Sequence, residues 1–228
     1  MRGYGQYCPV AKAAEVLGER WTLLIVRELV MGAHRFNELQ RGMPTIPRSV
    51  LASRLRRLAA DRLVERRHGA SGHDEYWLTP FGRDLQPALM ALGEWATRNF
   101  VTDPTRDEAD PSLLLLRLEQ SVDRASFPKE SFVVRFEFPG ARPPRAWFVV
   151  EDGVPLVCDD DPGAPVDLVV TSDARDLWRV HIGRLALSAA LRSGAVSLEG
   201  GSQHRQAFSR WFGYSPFAPT ARAALAAG

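Results

Sequence analysis

The sequence holds only two cysteines, Cys8 and Cys158, and no long uninterrupted apolar segment. Two cysteines so far apart are too few for a disulfide framework, which fits a reducing compartment. No stretch is apolar enough to span a bilayer or serve as a secretory leader, so the chain reads as cytoplasmic, with no membrane partner. Repeats and low-complexity tracts are missing too. So are a Gly-rich phosphate loop and a Gly-x-Ser-x-Gly elbow, and no catalytic residue can be named. The five histidines (His34, His68, His73, His181 and His204) show no paired ligand spacing. The acidic run Asp159 to Asp161 lacks the spaced ligands of a calcium loop, and Pro162 and Gly163 give it turn chemistry. No enzyme, metal or cofactor is expected.

What is present divides in two. At 228 residues and 45% hydrophobic, the chain can bury two cores. The net charge of +2 hides an asymmetry: residues 1–100 hold 15 basic against 10 acidic groups, and the remainder 14 against 17. Residues 35–67 alone hold nine arginines against Glu38, Asp61 and Glu65. A local excess of that size suits a polyanion, because each phosphate neutralised releases a condensed counterion.

The polar, proline-punctuated run 101–111 reads as a linker between two apolar-periodic regions. Before it, helical spacing recurs in "PVAKAAEVLG", "WTLLIVRELVMG", "RFNELQRGM" and "SVLASRLRRLAADRL", with Gly18, Gly32 and Gly42 placed as helix stops. Two extended runs, Leu63–Arg67 and Glu75–Leu78, flank a loose tip and predict a hairpin. A further helix, capped by Thr79 with Pro80 at its first position, is expected to run on towards residue 100. This is the order of a winged helix-turn-helix domain. After the linker, one helix, four strands, two helices, a returning strand and a last helix predict an α+β domain over 112–228.

On a 3.6-residue wheel, Leu51, Leu55 and Leu58 form one stripe, while Ser49, Ala52, Ser53, Arg56 and Arg57 point away from it. A face of small and hydrogen-bonding side chains lets a helix backbone approach base edges in a major groove, where arginine bonds guanine bidentately. Ser49, Ser53 and Arg56 are therefore candidate base readers, and Arg48, Arg54 and Arg57 candidate phosphate clamps. A solvated arginine face on an ordinary surface helix is the alternative. On the hairpin, Arg66, Arg67 and the tip residue His73 are candidate minor-groove contacts, opposed by Asp74 and Glu75.

Several motifs coincide over residues 4–100: a Cys-Pro near the start, "GERWTLLI", "RFNEL", an Ile-x4-Leu-x3-Leu-x2-Leu run from Ile46, and "YWLTPFG". Together they resemble the HxlR-type winged helix-turn-helix regulators of the MarR-like superfamily. The resemblance implies a homodimer on double-stranded DNA at a pseudo-palindromic operator, with "CPVAKAAEVL" and "ALMALGEWATRNF" at the dimer interface. Cys8 matches a cysteine that some members use to sense oxidants or electrophiles. A helix N-terminus favours negative charge, and the thiolate is the reactive form. Packing as a small interface hydrophobe is the simpler role for Cys8.

The second half is similar to the sterol carrier protein type 2-like fold, most clearly in "VDLVVTSDARDLWRVHIGRLALSAALRSGAVSLEGG". That resemblance implies a sheet covered by helices and a pocket for a hydrophobic small-molecule effector. Phe148, Trp178, Ile182, Leu187, Leu191, Trp211 and Phe212 are the candidate lining. Alternatively, the same residues are plain core. The leading expectation is a regulator controlled by such an effector or through Cys8. The other is a lipid or hydrophobic-ligand carrier that uses its helix-turn-helix to dimerise. Cys158 is expected in the core.

Overall fold

A computed structural model of the chain describes residues 3–69, 72–100, 103–106, 108–127 and 130–227. It contains two compact units, Met1–Leu92 and Gly93–Gly228.

The first unit opens with helices α1 (Pro9–Leu17), α2 (Thr22–Val30), α3 (Phe36–Gly42) and α4 (Arg48–Ala60). A hairpin of β1 (Val64–His68) and β2 (Asp74–Leu78) follows, then α5 (Pro80–Arg83) and α6 (Gln86–Asn99), which crosses into the second unit. The core collects Ile25, Val26 and Leu29 from α2, Leu39 from α3, the leucine stripe of α4, and Leu63, Val64 and Leu78 from the hairpin. Glu28 is fully buried among them, bonded by the Arg27 guanidinium at 2.8 Å. A Cβ on Gly42 would collide with the Glu28 carboxyl. Gly42 is therefore needed for close approach, and it is the last residue of α3 rather than a stop beyond it.

The expected helix from Pro80 to residue 100 is two helices. The Thr79 hydroxyl accepts from the Gly82 amide at 3.0 Å, as a cap should. The first helix then ends after one turn, and the chain restarts at Gln86.

The second unit has helix α7 (Pro111–Ser121) and strands β3 (Phe132–Glu137), β4 (Arg145–Glu151), β5 (Val154–Cys158) and β6 (Leu168–Ser172). Then come α8 (Ala174–His181), α9 (Leu187–Ser193), β7 (Val196–Gly200), α10 (Ser202–Trp211) and α11 (Ala218–Ala227). The sheet order is β5-β4-β3-β6-β7, with β3 and β6 parallel and every other pair antiparallel. Strand alternation sends Phe132, Val134, Phe136, Phe148, Val150, Leu168 and Val170 into one core with residues of α7 to α10. Helix α11 was not expected. Its alanines carry little apolar contrast, and it buries only Ala218 and Ala221.

Residues 101, 102 and 107 of the expected linker lie outside the described residues. The rest of that run belongs to the second unit, and several of its residues are fastened within it. Asp103 pairs with Arg179 at 2.7 Å and Arg184 at 2.9 Å, and Arg179 first and then Arg184 hold its carboxyl below the usual range. Ala109 is buried, and Asp110 caps α7. Cys158, expected in the core, ends edge strand β5 half-buried.

His181 is buried, with Nδ1 2.9 Å from the Gly213 carbonyl. Burial pushes its imidazole down to about 4 from an ordinary 6.5, with the Arg117 charge acting in the same direction and the Gly213 bond opposing both. Between those values only the unfolded chain binds the proton, so stability falls as pH drops from about 6.5 to about 4 and this contribution is flat above. The full loss is on the order of 3 kcal/mol. Urea midpoints should fall between about pH 7 and pH 5 in the wild type, and the fall should shrink in His181→Asn. An unchanged fall in the variant would contradict this assignment.

Candidate nucleic-acid interface

Helix α4 stands behind a tight turn. Ile46 is buried in that turn, Gln40 Nε2 donates to the Ile46 carbonyl at 2.8 Å, and Pro47 precedes the first helical residue. With Leu51, Leu55 and Leu58 sunk in the core, helical geometry turns Ser49, Ser53 and Arg56 to solvent along one stripe, with Ala52 half-buried between them.

The arginines around that stripe are not equivalent. The Arg56 side chain is exposed and has no ion pair or hydrogen bond among the described residues. Arg48 is exposed, bonds the neutral Asn37 Oδ1 at 3.2 Å, and lies over the Phe36 ring, so its charge is uncompensated. Arg57 is spanned by Asp61 one turn on, at 2.9 Å. Arg54 is half-buried, ion-paired with Glu19 and bonded to the Arg20 carbonyl. That pairing fastens α4 to the turn between α1 and α2, a structural duty that spacing within α4 alone does not reveal.

The wing is tied to the body of the unit by more than its turn. Arg35 bridges Glu75, the Tyr76 amide donates to the His34 carbonyl at 2.7 Å, and the His34 ring stacks on Trp77 at 3.5 Å. Its charges are largely compensated. Arg66 pairs with Asp74, which lowers the Asp74 carboxyl and raises the Arg66 guanidinium. Arg67 pairs with Glu65 and lies over Trp77. His68 sits 3.1 Å from Asp74. His73 is exposed beside the tip, of which residues 70 and 71 lie outside the described residues. A groove between the starts of α3 and α4 and the wing is lined by Arg35, Asn37, Arg48 and His73 among others. Arg35 and Asn37 were missed in the sequence because they precede or open α3, and nothing in spacing brings them beside α4.

Two further features bear on function. Helices α1 and α6 bury none of their residues, and Tyr7, Val10, Leu92 and Trp95 are exposed large hydrophobic groups. Cys8 is a free, exposed cysteine at the N-cap of α1. In the second unit, Phe148, Leu187, Trp211 and Phe212 are buried in the core, Trp178 and Leu191 pack against it, and Ile182 caps α8 half-buried. A cavity of about 300 Å³ in that unit is lined by none of these seven. No helix among the described residues is long and apolar enough to cross a membrane.

Residues 16–104 match the HxlR-like helix-turn-helix family model. The YybR protein of Bacillus subtilis, described as an uncharacterised HTH-type transcriptional regulator, is 37% identical over 94 residues, covering 40% of this chain and 75% of that one. The Rv3095 protein of Mycobacterium tuberculosis, described in the same terms, is 47% identical over 88 residues. That match covers 38% of this chain and 55% of the relative, so the chain spans about half the length of this mycobacterial relative. Among solved structures, the reduced form of the transcriptional regulator YodB from B. subtilis is 33% identical. It covers 42% of this chain and 96% of that one, with a TM-score of 0.37. On the extent of its likeness to YybR and the family model, the chain belongs to the HxlR-like helix-turn-helix family.

Proposed function

We propose that the protein is a homodimeric, sequence-specific DNA-binding transcriptional regulator that reads its operator with α4. The observation carrying this reading is the outward stripe of Ser49, Ser53 and Arg56 on a helix whose opposite side is core, set beside a wing. Arg56 reads a base edge. Arg48 clamps phosphate, and Arg57, Arg66, Arg67 and His73 contribute weaker backbone contacts, since all but His73 already have carboxylate partners. Arg54 acts by positioning α4. The exposed apolar groups of α1 and α6 form the dimer contact, which sets two recognition helices on successive turns of a pseudo-palindrome. A gel shift on DNA upstream of the protein's own gene tests the reading. Complex formation should weaken steeply with salt, and no complex on that DNA at about 50 mM salt would oppose it.

Two modes of control belong to the same proposal. Cys8 is a redox sensor, exposed and at the N-cap of α1 next to the dimer surface. Diamide should release DNA from the wild type and from Cys158→Ser but not from Cys8→Ser; equal release from Cys8→Ser removes the sensing role. The second unit is a sterol carrier protein type 2-like domain that takes a hydrophobic effector, supported by its five-stranded sheet with helices packed on the core face. Binding such a molecule requires the packing around Trp211 and Phe148 to open, and it alters DNA affinity only through a difference in affinity for the two conformations.

A further inference from the structure

We propose that the second unit also binds a small organic carboxylate, in the cleft formed by the starts of α7 and α8 and the turn between β3 and β4. Three arginines from separate segments line it: Arg106 before α7, Arg142 on the turn, and Arg175 in the first turn of α8. The turn is fixed by the Ala141 amide on the Phe138 carbonyl at 3.1 Å and the Phe138 amide on the Pro144 carbonyl at 2.8 Å.

The described acids of the cleft do not balance these charges. Asp110 accepts from the amides of Ser112 and Leu113 at 2.8 and 3.2 Å, and Asp173 accepts from the Arg175 amide at 2.8 Å. The Arg175 guanidinium lies 3.4 Å from Asp173. Arg106 and Arg142 have no hydrogen bond or ion pair among the described residues. Desolvation alone would raise the Asp173 carboxyl; the Arg175 hydrogen bonds and the charges of Arg175 and Arg106 hold it low. Two helices also present their positive ends at this wall.

A carboxylate is the anion that fits. Guanidinium groups bond it bidentately in one plane. Among the described lining residues three arginines face two aspartates, a surplus of one that a single negative charge balances, whereas a phosphate dianion would face Asp110 and Asp173 at close quarters. Buried Ala109 and Ala174, with prolines beside them, supply an apolar wall for the body of the molecule. The cavity of about 300 Å³ is at the small end of ligand sites.

The test is isothermal titration of the full chain, without DNA, with butyrate, hexanoate, benzoate and salicylate, and with the matching amides and inorganic phosphate as controls. At least one acid should bind while its amide and phosphate do not, and the double variant Arg106→Ala, Arg142→Ala should weaken it by about tenfold or more. Both side chains are exposed, so the variant should keep the wild-type melting temperature. No acid binding, equal binding of the amide, tighter binding of phosphate, or an unaffected double variant each overturns the proposal. Because no DNA is present, any of these leaves the reading of α4 standing.

Discussion

For the dimer proposed above, Trp95→Glu is expected to yield a monomer. Helix α6 buries none of its residues, yet carries Leu92 and Trp95 about half exposed, with Phe100 edge-to-face on Trp95 at 4.9 Å. Helix α1 also buries none of its residues, with Val10 exposed on it and Tyr7 exposed just before it. Scattered exposed hydrophobic groups need no explanation, but a helix that buries none of its residues and carries Leu92 and Trp95 supports the dimer contact proposed for it. A central tryptophan commonly contributes more than 2 kcal/mol to such a contact. A carboxylate in its place adds a desolvation cost of a few kcal/mol, so the dimer should weaken at least about a hundredfold. Sedimentation velocity at micromolar protein reads this directly. Since the side chain is exposed in the chain itself, the variant should fold and melt as a monomer does. Its operator affinity should collapse along with the dimer, because a lone recognition helix holds half a site. A variant that sediments with the wild type would remove α6 from the interface.

Arg56→Ala is expected to weaken operator binding by about ten- to a hundredfold while leaving binding to unrelated DNA within about threefold, the pattern of a lost base contact worth 1–3 kcal/mol. Arg48→Ala should weaken both to a similar degree and reduce the salt slope by about one, the pattern of a lost phosphate contact. The difference follows from position: Arg56 shares the outward stripe with Ser49 and Ser53, whereas Arg48 stands at the helix entry over Phe36. Arg54→Ala should act on stability rather than on discrimination, because its guanidinium is committed to Glu19 and to the Arg20 carbonyl. Competition gel shifts at two salt concentrations separate the three variants. Equal loss on operator and unrelated DNA in Arg56→Ala would deny it the base-reading role.

Much of this is legible in the sequence. The leucine period of α4 and the Thr79-Pro80 cap follow from local physics, and the structure reproduces both. Enrichment in β-branched and aromatic residues likewise marks "SFVVRFEFPG", "RAWFVVEDG", "VPLVCDDDPG" and "VDLVVTS" as strands, and β3, β4, β5 and β6 form within them. What escaped depends on contacts distant in sequence. Nothing in the spacing of Arg54 points to Glu19, 35 residues earlier, and nothing in "RRH" shows that Asp74 and Glu65 compensate the wing. Asp103 looked like linker polarity until Arg179 and Arg184 met it. The arginine cleft was invisible for the same reason, since its three guanidinium groups come from segments spread over about seventy residues. Residue composition reports how much charge a region holds, whereas only the fold reports how much of it is already paired.

Hydroxyl-radical footprinting of the purified protein on a DNA fragment that it shifts is the most direct test of a dimer reading DNA with α4. The expected result is two protected half-sites on one face of the duplex, with related inverted sequences and centres about 10 base pairs apart or a multiple of that, both lost in Trp95→Glu. A single protected segment, or protection that moves with no sequence in common between fragments, would contradict it.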